Sequence, residues 1–271
     1  MQEVGNNQII KQKLTIRISA DGMSFSVFNP SQNDSLVHEP YVNNSSISLA
    51  ANLREAVKEV SMLRNDYYRT TVALDSPTLI VPDERFTENE AEILYMHAFP
   101  GSKNVNVIYN ALPDINAVAV FSINKDVKLV LDDNFSNLRY TTVVTPVWHH
   151  LHERSFTGVH QKLYGYFHDK KLDIFCFNQN RFKFCNSFEA QHTKDAIYFI
   201  LFVWKQLTLD TEKDELHIAG DIPERDWLLQ QLREYLRNAF TVNPKADYNR
   251  SPVTNIADMP YDLQTLLICG R

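Results

Sequence analysis

The sequence predicts an α/β protein built from a duplicated unit of strands and helices. Two observations carry this prediction: elements repeat in order along the chain, and apolar residues recur with the periods of strands and helices. The run 23–29 has its counterpart in 172–178, and the strand and helix that follow each copy are repeated as well. The offset stays between 145 and 149 residues. An ordered series at a nearly constant offset indicates a duplicated supersecondary unit.

The first copy opens with a hairpin. Apolar and polar residues alternate over 14–18 and again over 23–27, which is typical of strands with one buried face. The dipeptide Asp21-Gly22 between them readily adopts the positive φ angles that a two-residue hairpin requires. A third strand is expected at 35–41.

A helix follows the third strand. Apolar residues at helical spacing predict an amphipathic helix over 49–64, with Ser48 as its N-cap. A strand over 71–74 and a helix over 88–98 come next, separated by a stretch that two prolines break.

The segment 104–123 has no clear copy in the second half. Strands are expected at 104–109 and 117–123, and the second is so apolar that it predicts a parallel strand buried on both faces. After it we expect a helix capped by Asn124, a strand over 140–145, and a helix that Pro146 opens.

The second copy begins with strands over 161–167, 172–177 and 181–185. Thr193 is expected to cap a helix so rich in apolar residues that it must be covered on nearly every side. A strand over 215–219, a helix opened by Pro223 and a strand over 240–242 complete the copy.

Composition narrows the function classes. Hydrophobic residues make up 44% and charged residues 22%, as in a globular protein. With 27 Lys plus Arg against 33 Asp plus Glu and no basic tract, nucleic-acid binding is disfavoured. The start, residues 1–12, lacks the apolar core of a signal peptide, and no apolar run is long enough to span a bilayer. We therefore expect a cytoplasmic protein whose three cysteines are buried reduced thiols.

A three-strand meander followed by α-β-α-β, present twice, resembles the ribonuclease H-like unit that is duplicated in the actin-like ATPase superfamily. The stretch AVAVFSINKDVKLVLDDNFSNLRYTTVVTPVWHHLHE, residues 117–153, resembles the segment that joins the halves of pilus-assembly proteins on that fold. Over its whole length the chain resembles a family of Bacteroidetes proteins called domain of unknown function 3822. That resemblance supplies no biochemical activity.

The resemblance implies an α/β protein with the actin-like ATPase fold. It would consist of two ribonuclease H-like βββαβαβ subdomains, with mixed sheets and helices on both faces. We place the first subdomain at 1–157, including the inserted α/β elaboration, and the second at 158–271.

The resemblance also implies where a nucleotide would bind. The first phosphate loop of active members corresponds to the turn 19–24, which offers Asp21, Gly22 and Ser24, although an ordinary hairpin turn would supply the same residues. The second corresponds to 168–171, which offers Asp169 but no glycine, so side chains would crowd a phosphate. The nucleoside turn keeps Gly220. Only 7 glycines occur in the chain, which argues against a working set of phosphate loops.

The two hairpin tips carry a geometric prediction. The tip 168–171 is expected to be exposed and to face the tip 20–22 across a groove between the halves. Lys170 and Lys171 would project from it, which would place Asp21 near positive charge.

Other groups have ordinary structural explanations. His149, His150 and His152 lie near a helix start, but no neighbouring residues complete a metal-ligand spacing. Asp210, Asp214 and Asp221 suit caps and loops. Aromatic residues alternate across the strands of the second copy and indicate core packing rather than a ligand platform: Tyr164, Tyr166, Phe167, Phe175, Phe177, Phe182 and Phe184.

The sequence thus predicts a protein of unknown biochemical function, a degenerate actin-like fold that acts as a binding or scaffold module with a protein partner. No catalytic residue and no metal ligand is assigned, and ATP and magnesium are not expected as cofactors. The alternative is a nucleotide-binding ATPase or phosphotransferase with its site in the cleft between subdomains. A third hypothesis is a non-nucleotide ligand in that cleft.

Overall fold

The computed structural model describes residues 12–29 and 35–270 of the 271-residue chain. The sequence argument about a targeting segment rests on residues 1–12, of which 1–11 lie outside the described residues. The elements of the first copy are β1 (Lys13–Ile18), β2 (Gly22–Asn29), β3 (Ser35–Val42), α1 (Leu49–Glu59) and β4 (Arg69–Leu74).

The elaboration and the second copy continue the α/β pattern. The elaboration contains β5 (Leu79–Pro82), α2 (Ala91–Ala98), β6 (Val105–Leu112) and β7 (Ala117–Asn124). The helix α3 (Lys125–Asn134) and the strand β8 (Leu138–Thr142) complete the first copy, and α4 (Val144–Ser155) follows them. The second copy and the tail contain β9 (Lys162–His168), β10 (Lys171–Phe177), β11 (Phe182–Glu189), α5 (Thr193–Gln206), β12 (Glu215–Gly220), α6 (Arg225–Arg233), β13 (Asn238–Thr241), α7 (Pro244–Asp247) and α8 (Tyr261–Cys269).

Two five-stranded sheets share one topology. Their strand orders are β3-β2-β1-β4-β8 and β11-β10-β9-β12-β13. In each sheet the central strand pairs antiparallel with the strand that follows it and parallel with the strand after the first helix, as β1 does with β2 and β4 and β9 does with β10 and β12. The predicted α/β fold with a duplicated βββαβαβ unit and mixed sheets is confirmed.

The chain divides into two compact units that interleave in sequence. The first contains 1–74 and 124–141, and the second contains 75–123 and 142–271. The five-stranded sheet of the first copy lies in the first unit, apart from the last residue of β8. That of the second copy lies in the second unit, together with a small sheet of order β5-β7-β6. The predicted subdomain boundary at residue 157 stays a prediction.

In the first unit an amphipathic helix forms as expected but ends early. Ser48 caps α1, since its side chain accepts a hydrogen bond from the amide of Ala51, and Leu53 and Ala56 are fully buried. The helix ends at Glu59 rather than at residue 64, because Val60 adopts an extended conformation, and 61–64 form a separate 3₁₀ turn. Helix α1 packs against α3, which Asn124 caps as predicted.

In the second unit the main core lies between the sheet and its helices. Leu163 and Ile174 from the sheet are fully buried with Ile200 of α5 and Leu228 of α6. A smaller core forms around the elaboration, where Tyr95 of α2 packs with residues of β5 and β7. Burial of such apolar side chains is the main stabilising term of each core.

Several local predictions are wrong. Strand β7 was expected in a parallel sheet, but it pairs antiparallel with β5, a short strand that ends at Pro82 and that the sequence pattern did not predict. Thr193 is the first residue of α5 rather than its cap, and its hydroxyl donates to Glu224. Helix α6 begins at Arg225, so Pro223 precedes it.

Exposure corrects two further predictions. Helix α5 is not covered on nearly every side, because the side chains of Tyr198 and Phe202 are 64% and 51% exposed. Of the cysteines, Cys176 is buried but Cys269 is exposed. Within residues 12–29 and 35–270, none of the helices combines the length and apolarity needed to cross a bilayer.

Candidate functional site

The first hairpin turn, in the first unit, is closed by its own hydrogen bonds. The amide of Ser19 donates to the carbonyl of Gly22 at 2.9 Å, and the side-chain amide of Asn43 donates to the carbonyl of Ala20 at 3.0 Å. The turn residues are therefore Ala20 and Asp21 rather than Asp21 and Gly22. Neither Asp21 nor Gly22 has the predicted positive φ.

Gly22 and Ser24 have structural surroundings of their own. A Cβ at Gly22 would lie 3.0 Å from the carbonyl oxygen of Tyr41 on the neighbouring strand, so close packing of strands favours glycine there. Ser24 lies within β2, and its hydroxyl is buried without a hydrogen-bond partner among the described residues. Asp21 is exposed at the turn, whereas Ser24 lies inside the sheet.

The second hairpin turn, in the second unit, is the one that uses positive φ angles. Asp169 and Lys170 have φ angles of 44° and 62°, and His168 pairs with Lys171 on either side of them. This is the geometry of a two-residue hairpin with both central residues left-handed. Glycine usually fills such positions, but this turn forms without it.

The predicted exposure of the tip 168–171 is wrong in part. Lys170 is exposed, but His168 is buried, with 6% of its surface accessible. Its ring stacks on that of Tyr166 with the centroids 4.7 Å apart. Strand alternation gives the physical reason, because residues two apart on β9 share a face, and here that face is covered.

His168 joins two carboxylates. Its Nε2 lies 2.6 Å from Oδ2 of Asp173, and its Nδ1 lies 3.1 Å from Oδ2 of Asp169. Burial alone would lower the pKa of His168, but the hydrogen bonds to Asp169 and Asp173 outweigh burial and raise that pKa to about 10. The side chain is therefore an imidazolium at neutral pH and donates from both nitrogens.

Lys171 was predicted to project from the hairpin tip, but its side chain turns inward. Its ammonium lies 2.9 Å from each oxygen of the Asp75 carboxylate. The Asp75 side chain is only 7% exposed and that of Lys171 26%. A carboxylate this buried needs a cation, which explains why the lysine turns inward. Sequence reasoning missed Asp75, although an aspartate directly after a buried strand is a recognisable signal for a site residue.

Three of these side chains form a cluster that resembles a cation site. One ligand atom each from Asp75, His168 and Asp169 lie within 4.8 Å of one another. A metal ion needs a neutral imidazole and free carboxylate oxygens. Here His168 is protonated and Lys171 contacts both oxygens of Asp75. The cluster fits a metal ion only after His168 loses its proton and Lys171 withdraws.

Gly220 lies beside the second hairpin for a packing reason. It pairs with Phe167 in the parallel ladder between β12 and β9 and has a φ of 91°. A Cβ there would lie 2.0 Å from the carbonyl oxygen of Phe167, which also accepts the amide of Asp221 at 2.9 Å. Within the second unit, the structure thus brings Gly220 and Asp169 to the same end of the sheet.

A buried carboxylate of α8 completes this polar region. The hydroxyl of Tyr166 donates to Oδ2 of Asp262 at 2.6 Å, and Asp262 is 1% exposed. Sequence reasoning missed Asp262 because it follows the repeat and no local pattern marks it. We call the set Asp75, Tyr166, His168, Asp169, Lys171, Asp173 and Asp262 the polar network.

The histidines of α4 do not converge. His149 approaches Asp114 at 3.6 Å, whereas Nε2 of His152 contacts the carbonyl of Gln179 at 3.1 Å. His150 lies 3.6 Å from Asp247. Of the predicted loop aspartates, Asp214 accepts backbone amides from Gln161 and Asp210, which is the role of a capping residue.

Comparison with solved structures places this architecture in a known class. A crystal structure from Bacteroides thetaiotaomicron VPI-5482, of a protein with actin-like ATPase fold and unknown function, matches with a TM-score of 0.83 at 32% sequence identity, and 96% of each chain is covered. The PilM–PilN type IV pilus biogenesis complex matches with a TM-score of 0.59 at 12% identity, covering 95% of this chain and 98% of that one. The protein therefore has the actin-like ATPase fold.

The sequence also identifies a family. The model of the family "Protein of unknown function (DUF3822)" matches residues 2–239. The chain belongs to this family, as its resemblance to domain of unknown function 3822 predicted. None of the curated proteins matches it.

Proposed function

We propose that the protein is a non-catalytic member of the actin-like fold class that acts as a binding or scaffold module for a protein partner. The observation that carries the proposal is that the carboxylates of the second hairpin region are already paired with side-chain cations of the same unit. Lys171 holds both oxygens of Asp75, and His168 bridges Asp169 and Asp173. To bind there, a magnesium ion would have to displace the Lys171 ammonium and the His168 imidazolium, which would leave buried charges without partners.

Two further points support the proposal. Gly220 and Gly22 have packing reasons that do not involve a phosphate. PilM, which shares the fold, occurs in a complex with PilN, so the fold is compatible with a role in protein assembly. A cytoplasmic location, expected from the sequence, is part of the proposal, and cell fractionation tests it.

Isothermal titration with ATP and magnesium tests this function. With protein at about 50 µM and nucleotide up to about 1 mM, we expect no binding heat above that of dilution, because the carboxylates that would hold the metal are already paired with Lys171 and His168. Micromolar binding together with hydrolysis would refute the proposal. Magnesium alone and ATP with EDTA are the controls.

The alternative function is a nucleotide-dependent ATPase or phosphotransferase that uses Asp21, Gly22, Ser24, Asp169 and Gly220. The cluster of Asp75, His168 and Asp169 favours it to the extent that these ligand atoms are already close together. If this alternative holds, Asp21→Ala should abolish turnover without unfolding the protein, whereas Asp133→Ala on the exposed surface of α3 should leave turnover unchanged. For the third hypothesis, native mass spectrometry of freshly purified protein would reveal a retained non-nucleotide ligand.

A further inference from the structure

Helix α5 has a stripe of exposed residues with two aromatic side chains at its centre and a charged residue at each end. Asp195, Tyr198, Phe202 and Lys205 are all exposed and follow one another at spacings of three, four and three residues. This is the spacing of a coiled-coil seam, and it places the four side chains on one face of the helix. The opposite face is buried in the core and includes Ala196 and Ile200. The helix therefore has apolar residues on its buried face and two large aromatic residues on its exposed face.

The aromatic pair at the centre of this stripe is ordered by stacking. The rings of Tyr198 and Phe202 lie 6.1 Å apart at an interplanar angle of 17°. Next to them, Phe202, Lys205 and Gln206 line a shallow depression that is open to solvent. Two large aromatic side chains this exposed on one helix face are typical of an association surface rather than of scattered surface residues.

The charges of the stripe are arranged symmetrically. Asp195 lies near the start of α5 and Lys205 near its end, at equal separations along the sequence from residue 200. Tyr198 and Phe202 are also equidistant from residue 200. Among the residues that the structure describes, neither Asp195 nor Lys205 has a salt-bridge partner.

We propose that this stripe, defined by Asp195, Tyr198, Phe202 and Lys205, is a self-association surface through which two copies of the chain pair as a symmetric dimer with antiparallel α5 helices. A two-fold axis at residue 200 sets Asp195 of each copy opposite Lys205 of the other and Tyr198 opposite Phe202. The same register brings Tyr198 of one copy to the shallow depression beside Phe202 of the other. The self-complementary charge pattern selects a second copy over an unrelated partner. This inference does not depend on the proposed scaffold function.

A single helix pair buries less surface than a standard interface, so we expect a weak dimer with a Kd on the order of 10–100 µM. Sedimentation equilibrium of the full chain measures it. Phe202→Ser should weaken dimerisation at least tenfold, because the aromatic centre of the stripe is removed. Raising the salt concentration should weaken it severalfold, because the two ion pairs are solvent-exposed.

A charge swap tests the antiparallel register. Asp195→Lys alone places two lysines opposite each other, and Lys205→Asp alone places two aspartates opposite each other, so each should raise the Kd about fivefold or more. The double variant restores opposite charges and should return the Kd to within about twofold of the original. Because the double variant contains both substitutions, an effect on helix stability alone would persist in it.

The matched control is Asp133→Lys, an exposed charge reversal on α3, which should leave the Kd unchanged. Circular dichroism confirms that each variant is folded. A wild-type protein that stays monomeric at several hundred micromolar would overturn the proposal, and so would a double swap that dimerises as poorly as the single variants.

Discussion

At the scale of single residues, the structure gives Gly220 and Asp169 surroundings that the sequence did not predict. Gly220 was read as the remnant of a nucleoside turn, yet its positive φ and its approach to Phe167 are required by the ladder between β9 and β12. Asp169 corresponds by resemblance to a residue of the second phosphate loop, and in the structure its carboxylate accepts a hydrogen bond from the buried imidazolium of His168. In both cases the neighbouring residue that explains the position lies on another strand or is brought near by the turn, and the sequence pattern did not identify it.

Gly220→Ala should destabilise the protein by at least about 2 kcal/mol, because an alanine at a φ of 91° is strained and its Cβ would collide with the Phe167 carbonyl. Chemical denaturation measures the loss. Gly101→Ala is the control, since a Cβ there meets nothing within 4 Å, and it should change stability by less than about 0.5 kcal/mol. Equal effects of the two substitutions would contradict this explanation.

At the scale of elements, hairpins and helices form where expected, but their surroundings differ from the expectation. The β9–β10 hairpin was predicted to expose its tip, whereas His168 and Lys171 turn inward to neutralise carboxylates. Helix α5 was predicted to be covered because it is apolar on most faces, whereas Tyr198 and Phe202 remain exposed. Apolar content decides that a helix packs, but only the neighbouring elements decide which of its faces are covered.

The hairpin gives the protein a pH dependence through His168. An unfolded imidazole titrates near pH 6.5, whereas the folded one titrates near 10, so the folded protein holds an extra proton between these values. The stabilisation is complete below about pH 6.5 and is lost as the pH rises through the folded pKa. His168→Gln should remove this dependence.

Urea unfolding at pH about 6 and about 9.5 should therefore show the wild-type protein losing on the order of 2 kcal/mol more stability than His168→Gln over this range. His160→Gln, at an exposed histidine, should keep the wild-type profile. A wild-type profile as flat as that of His168→Gln would show that the ion pairs at His168 do not stabilise the fold.

At the scale of the whole molecule, the duplication predicts that strands in equivalent positions of the two sheets have the same order of local stability. The central strands β1 and β9 are buried over nearly their whole length and are paired on both sides. The strands β3 and β11 lie at sheet edges, and their residues are half-buried or exposed. Opening a central strand exposes more apolar surface and breaks two ladders.

Hydrogen exchange followed by mass spectrometry checks this ranking. Peptides from β1 and β9 should exchange slowest in their sheets, and those from β3 and β11 should exchange at least about tenfold faster, in both units. An edge strand that exchanges as slowly as its central strand would mean that something outside the sheet covers that edge. Such a result would point to a bound partner.

The α/β class, the duplicated unit and most strands and helices follow from the sequence, because these depend on alternation, helical spacing and capping residues that are close together along the chain. Asn124, for example, caps α3 as its position predicted. The polar network, in contrast, depends on contacts between residues that are far apart in the sequence. Lys171 and Asp75 are 96 positions apart, and so are Tyr166 and Asp262. No local period records such pairs, since they arise when chain folding buries a carboxylate that then requires a partner.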